Sequence, residues 1–259
     1  MWKIVENQNW QYIRNTFSWI RDMESVAQDP IYHAEGNVAV HTKMVVEALL
    51  ALPEYQQLKE QDQQILFAAA LLHDVEKRST TIKESDGRIT SRKHALKGEF
   101  TTRTILYKEI ATPFSVREKV AKLVRYHGLP IWIMEKNDPE AALLQASLEV
   151  DTQHLAILAK ADMLGRICPD QEEMLYRIEL FQEFCKELDC LGKPKWFGSD
   201  LGRYEYFKKR LDGQSITPDY VPFEKNTFEV ILMCALPGTG KDFFIQKNFK
   251  DFLVVSLDD

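Results

Sequence analysis

The chain has 259 residues, enough for a full core and for one domain plus part of another. A net charge of −6 at pH 7 gives no global basic footprint of the kind a duplex-DNA binder shows, although local basic patches can guide a short nucleic-acid end. No apolar run reaches the length of a membrane span, and the start Met1-Trp2-Lys3-Ile4 is no signal peptide. The four cysteines form no CxxC pair, so reduced thiols in a cytoplasmic protein with no membrane partner are expected.

The opening, Trp2 to Met23, is rich in aromatics, and Val5, Trp10, Ile13, Phe17 and Ile20 make a helical stripe read as core packing. His41 follows on the apolar side of a helix around Val38–Val46. Asp62 is then expected to cap a buried helix carrying Ile65, Leu66, Ala69, Leu72 and Val75 at helical spacing. That run ends abruptly in His73 and Asp74, with Lys77 one turn later. His94 lies in Arg92-Lys-His-Ala-Leu-Lys-Gly98, and Ser115-Val-Arg-Glu118 reads as a capping box for a helix that His127 ends. Asp138 followed by Pro139 opens another helix, Asp162 sits within the apolar run 154–166, and Asp170 opens a long helix with Leu175, Ile178, Phe181 and Phe184 on one face. No period-2 strand is expected before residue 190.

A carboxylate at the end of an apolar helix is costly unless a cation or hydrogen bonds accompany it. A histidine beside an aspartate supplies a borderline nitrogen and a hard oxygen, a donor pair suited to a divalent transition metal. Each such residue alone is the ordinary polar group of a helix end or core. Five helices each delivering one is a recurring way to build a metal site inside an all-α domain.

The ordered set His41, His73-Asp74, His94, His127, Asp162 resembles the HD-domain metal-dependent phosphohydrolases over roughly residues 25 to 190. The stretch from Ile31 to Val46 is similar to the HD domain of bacterial CCA-adding enzymes, which brings His33, Glu35 and Gly36 into the match. The resemblance implies that His41, His73, Asp74 and Asp162 ligate one metal, with His94 and His127 serving a second ion or the phosphate. It implies a catalytic set of Asp74, Lys77, His33 and Arg166, with Lys77 and Arg166 on the non-attacking phosphate oxygens. The expected cofactor is one or two divalent ions of Mn, Co, Ni, Zn or Fe.

From Gly192 the composition changes. Lys193-Pro-Lys-Trp-Phe197 is turn-rich, and Arg203 to Leu211 reads as a short helix with interleaved basic and aromatic residues. An ordinary linker over 191–227 is expected, with single-strand binding as the other reading. Phe228–Leu236 then reads as a buried strand, Pro237-Gly238-Thr239-Gly240-Lys241 as a phosphate loop, 242–248 as a helix and Phe252–Ser256 as a second strand. Ala235 stands where the first glycine of such a loop is expected, and Asp242 replaces the usual Ser/Thr. The segment resembles the start of polynucleotide kinases, in which Asp258 would be the base on a 5′-hydroxyl and Mg and ATP would serve a complete kinase. Both resemblances together match bacterial HD–polynucleotide kinase fusions, which heal RNA ends.

The expected architecture is therefore mainly α: an all-helical HD domain over 1–190, a linker, and an α/β kinase fragment over 228–259 cut after its first unit. A two-stranded fragment is expected to seek burial against the HD domain or a second copy of the chain, as a homodimer. The expected activity is hydrolysis at RNA 3′ ends, of a 2′,3′-cyclic or terminal phosphate. A nucleotidase or dNTP phosphohydrolase of the same superfamily, and a catalytically dead binding module, are the alternatives.

Overall fold

The structure, a computed structural model, describes residues 1–223 and 228–256. In chain order its elements are α1 (Trp10–Thr16), α2 (Ser18–Glu24), α3 (Val38–Ala51), α4 (Pro53–Gln56), α5 (Glu60–Leu72), α6 (Lys77–Thr80), β1 (Ile82–Lys83) and β2 (Ile89–Thr90). They continue with α7 (His94–Lys108), α8 (Phe114–Tyr126), α9 (Leu129–Trp132), a 3-10 turn (Ile133–Glu135), α10 (Pro139–Ser147), α11 (Thr152–Leu164), α12 (Gln171–Glu187), α13 (Asp200–Leu211) and α14 (Lys241–Asn248). The chain divides into two units, Met1–Tyr220 and Val221–Asp259.

In the first unit α5 is the axis. Every residue from Ile65 to Leu72 is buried, the pattern of a helix covered on all sides. Helices α3, α8 and α11 surround it, α7 backs α8, and α12 backs α11. Two glycines permit close approaches between helices. A Cβ on Gly165, at the end of α11, would lie 2.5 Å from the backbone nitrogen of Val45 on α3. A Cβ on Gly98 of α7 would press to 3.1 Å on Val124 of α8. Larger residues would push apart the helix pairs that carry the polar cluster described below.

The helix starts partly differ from expectation. Asp62 does not cap α5: Lys59 is the N-cap, and Asp62 lies in the first turn, where a carboxylate favours the helix dipole. Ser115 makes no capping box, because α8 already starts at Phe114 after the extended Pro113. Asp138 does cap α10 through Ala141 N, with Pro139 in the first turn. The stripe of the first 23 residues is core, split between α1 and α2 at the extended Phe17. A hairpin does interrupt the helices, Ile82 opposite Thr90 and Lys83 opposite Ile89, with strands too short to show a period in sequence.

Residues 191–220 belong to the first unit. Phe197 and Tyr206 of this stretch are buried, and Tyr206 donates its hydroxyl to Glu140 at 2.7 Å. The second unit is a different case. Its helix α14 forms where expected, but neither Phe228–Leu236 nor Phe252–Ser256 is a strand. A buried parallel strand is held by hydrogen-bonded neighbours and by helices on its faces. Neither run joins a ladder among the described residues, and Leu232 and Leu253 stand about nine-tenths exposed. Asp258 lies outside the described residues.

Asp138 ties α10 to α13 as well, taking two hydrogen bonds from Arg210 at 2.6 and 2.7 Å. Arg210 chiefly, with Ala141 N, holds its carboxyl below the ordinary value. Asp138→Ala is expected to lower stability by about 1–2 kcal/mol in a denaturant melt. Asp138→Asn keeps the cap but loses the charge. A lowered carboxyl stabilises above its unfolded pKa and loses that contribution as pH falls through the folded value, so the gap between wild type and Asp138→Asn should close in acid.

Candidate metal centre

Four of the six histidines and two aspartates meet where α3, α5, α7, α8 and α11 converge. His73 and His127 are the C-cap residues of α5 and α8. Each folds its ring back so that Nδ1 lies 2.8 Å from the carbonyl three residues earlier, Ala70 O and Val124 O. Those carbonyls belong to the last helical turn, which lacks intrahelical partners. His94, the first residue of α7, repeats the device with Ser91 O at 2.7 Å. His41, within α3, sets Nδ1 2.9 Å from Glu35 Oε1, although too bent for a well-aligned hydrogen bond. In the tautomer these partners select, every Nδ1 carries the proton and every Nε2 is a free donor to a metal.

The Nε2 atoms face one another. His41 and His73 are 3.4 Å apart, His94 and His127 3.2 Å. Asp74 stands between the pairs. Its Oδ2 lies 3.3 Å from His73 Nε2 and 3.7 Å from His41 Nε2, while Oδ1 lies 3.3 Å from His94 Nε2 and 3.9 Å from His127 Nε2. Asp162 Oδ1 sits 3.0 Å from His41 Nε2. Two donor groups therefore share one carboxylate: His41, His73 and Asp74, and Asp74, His94 and His127. Opposed lone pairs at these distances repel unless a cation lies between them, and imidazole with carboxylate suits a divalent transition metal. The residues present fit such a metal, with Asp162 beside the first group.

The electrostatics favour positive charge here. Burial opposes the ionised carboxyl of Asp74, yet Lys77 and His73 outweigh it and hold the group well below the usual carboxylate range. Burial likewise opposes Asp162, and Arg166 and His41 overcome it. Burial disfavours a protonated His73, but Asp74 and Asp162 raise its pKa. On the other side, burial and then His94 and His73 push His127 down to about 3, and burial lowers His94 as well.

The remaining expected residues lie around this centre. Lys77 Nζ bonds Asp74 Oδ2 and Gln28 Oε1, both at 2.8 Å. Arg166 places Nη2 3.1 and 3.2 Å from the two oxygens of Asp162, and its buried Nε has no partner. His33 Nδ1 bonds Glu35 Oε1 at 2.9 Å, and burial lowers its pKa to about 4, so the ring is neutral. Glu35 Oε2 accepts from Ile167 N at 2.9 Å, fastening the segment before α3 to the one after α11. His33, Asp74, Lys77, His94, His127, Asp162 and Arg166 all line one cavity of about 730 Å³. Gly36 shapes the turn before α3 with φ 120°. Pro237, Gly238, Thr239, Gly240, Lys241 and Asp242 belong to the second unit.

Gln28 went unread in the sequence, as did the anchoring roles of Glu35 and Glu76. Buried Glu76 accepts from Thr101 Oγ1 at 2.7 Å, and Lys97 Nζ lies 3.2 Å away, which fastens the turn after Asp74 to α7. Nothing in local sequence marks Gln28. The spacing of Glu76 from Asp74 was visible, but its partners are 25 residues away or thereabouts.

Residues 38–166 match the family model of the HD domain. No curated protein matches the chain. No helix among the described residues is long and apolar enough to cross a membrane.

Adding Mn, Co, Ni or Zn to chelator-treated protein is expected to raise the melting temperature, by about 2.7 kcal/mol of stabilisation at a hundredfold excess over Kd. Glu35→Gln should weaken metal affinity about 10–100-fold in equilibrium dialysis, because it unfastens His41. An unchanged melt with every ion would refute the site.

Proposed function

Starting from an HD domain of the metal-dependent hydrolase superfamily at residues 38–166, we propose that the chain is a phosphohydrolase acting on RNA ends. The observation that carries this reading is the shared carboxylate of Asp74 between two histidine pairs, opening on a cavity that Lys77 and Arg166 also line. His41, His73, Asp74 and Asp162 would hold one ion, and Asp74, His94 and His127 a second. A bound divalent ion supplies a Lewis acid for a phosphoryl oxygen and hydroxide near neutral pH.

The side chains account for the rest. Lys77 uses two contacts on Asp74 and Gln28, which leaves its third N–H for a phosphate oxygen. Arg166 lines the same cavity with a guanidinium that Asp162 holds in place. Both cations bind the non-attacking oxygens and offset charge growing on phosphorus. His33, neutral and bonded through Nδ1, presents Nε2 as an acceptor at the cavity wall. Asp74, bonded to Lys77 and faced by four histidines, orients rather than transfers protons.

RNA ends are favoured among phosphoesters by the second unit. Pro237–Lys241 turns through Gly238 and Gly240, both at positive φ, into α14, a shape suited to backbone N–H groups around phosphate. Lys241 Nζ rests on the carbonyls of Ala235 and Leu236, 3.0 and 3.2 Å away. We read this unit as part of a 5′-hydroxyl polynucleotide kinase that uses ATP and Mg, with Asp242 near the metal. ATP should bind it weakly, and Lys241→Ala should remove that binding in a filter assay.

A hydrolysis panel tests the main reading: RNA 2′,3′-cyclic phosphate, RNA 3′-phosphate and mononucleotides, each with Mn, Co, Ni, Zn and Fe. RNA ends are expected to be cleaved, and Asp74→Ala to lose more than a hundredfold in kcat/KM while staying folded. His94→Ala and His127→Ala should lose about tenfold or more. Preference for mononucleotides would support a nucleotidase or dNTP phosphohydrolase, and metal-free protein without turnover a binding module.

A further inference from the structure

The cavity extends well past the metal centre. Its outer wall is formed by Lys93, Arg125, Leu129, Trp132 and Lys136, residues that the chemistry above does not use. At about 730 Å³ it lies in the upper part of the roughly 300–1,000 Å³ range of small-molecule sites. The chain is acidic overall, yet five cations line this cavity (Lys77, Lys93, Arg125, Lys136, Arg166) against two carboxylates, Asp74 and Asp162. Lys77 and Arg166 are engaged by those carboxylates. The outer three are in surplus. Lys93 and Lys136 form no ion pair or side-chain hydrogen bond among the described residues. Arg125 is held only loosely, 3.6 Å from Glu99.

Lys93 is also held in place by its backbone. It is the N-cap of α7 in the left-handed region, φ 63°, directly before the ligand candidate His94. Trp132 is 43 % exposed at the cavity wall. Arg177 lies 5.3 Å from its ring centre and is itself fixed by Glu135 and Glu173, both at 2.8 Å. The indole is thus braced as a flat apolar surface beside unpaired cations. A charge for phosphate next to a face for a base is what single-stranded nucleic acid requires.

We propose that this outer wall is a second subsite, in which Lys93, Arg125 and Lys136 take the phosphodiester preceding the reacting end and Trp132 stacks on a base. It rests on the phosphohydrolase reading and narrows it: the substrate is a nucleotide chain of at least two residues.

The test compares a fluorescent 3′-phosphorylated ribodinucleotide with the matching mononucleotide, by anisotropy on the full chain without added metal. The dinucleotide should bind at least tenfold tighter, with a salt slope steeper by about 0.7 for its extra phosphate. Lys136→Ala and Trp132→Ala should each erase most of that ratio, and Trp132→Phe, which keeps a ring, should restore part of it. With manganese the same ratio should appear in kcat/KM, mostly through KM. Equal affinity for the two ligands, or a ratio unmoved by Lys136→Ala and Trp132→Ala, overturns the subsite. Hydrolysis of bis(p-nitrophenyl) phosphate tells the two failures apart: turnover without a dinucleotide advantage sinks the subsite alone, and no turnover of any phosphoester sinks the phosphohydrolase reading.

Discussion

The Asp74 carboxylate is the constraint on which the first unit turns. It is buried just past a helix whose last eight residues are apolar and buried, a position where an unpaired charge would be driven to take up a proton. Lys77 and His73 keep it ionised, and Gln28 keeps Lys77 in place. One charge therefore fixes the geometry of the segment before α3, the end of α5 and the start of α6. Because its two oxygens face two different histidine pairs, it also sets how α3 stands against α7 and α8.

The histidines reach it by an economical use of helix ends. Three of the four bond a carbonyl three residues back, so the same hydrogen bond finishes a turn and points Nε2 at the centre. Helix termini need such partners in any case. The fourth, His41, sits in the first turn of α3, and a carboxylate from outside the helix stands beside it. Glu35 does this while also facing His33 and Ile167 N, so the apolar contact of α3 with α11 and the aim of His41 are one structural fact. Gly165 allows that contact to be close enough for Asp162 to reach His41.

The two units differ in how far local pattern could carry them. In the first, apolar periodicity meets apolar neighbours, and α5 and α11 form because their surroundings bury them. In the second, α14 forms from local preference, while the two apolar runs beside it stay largely exposed and do not become strands. The hairpin of β1 and β2 is the reverse case, pairing too briefly to leave a pattern.

The helical nature of the first unit and the identity of its inward polar residues were legible in sequence. Histidines and aspartates interrupting apolar helices stand out because burying them is costly without a purpose. Helix starts were less legible, since a capping side chain competes with what the preceding residues do, as Pro113 and Lys59 did to Ser115 and Asp62. Only tertiary structure decided that Asp74 divides its oxygens between two histidine pairs, that Gln28 supports Lys77 across 49 residues, and that Trp132 and Lys136 share a cavity with Asp74. Local sequence records which side chains a helix carries. Which atoms come within a few ångströms depends on how separate helices pack, and that is set by the summed burial of the whole core.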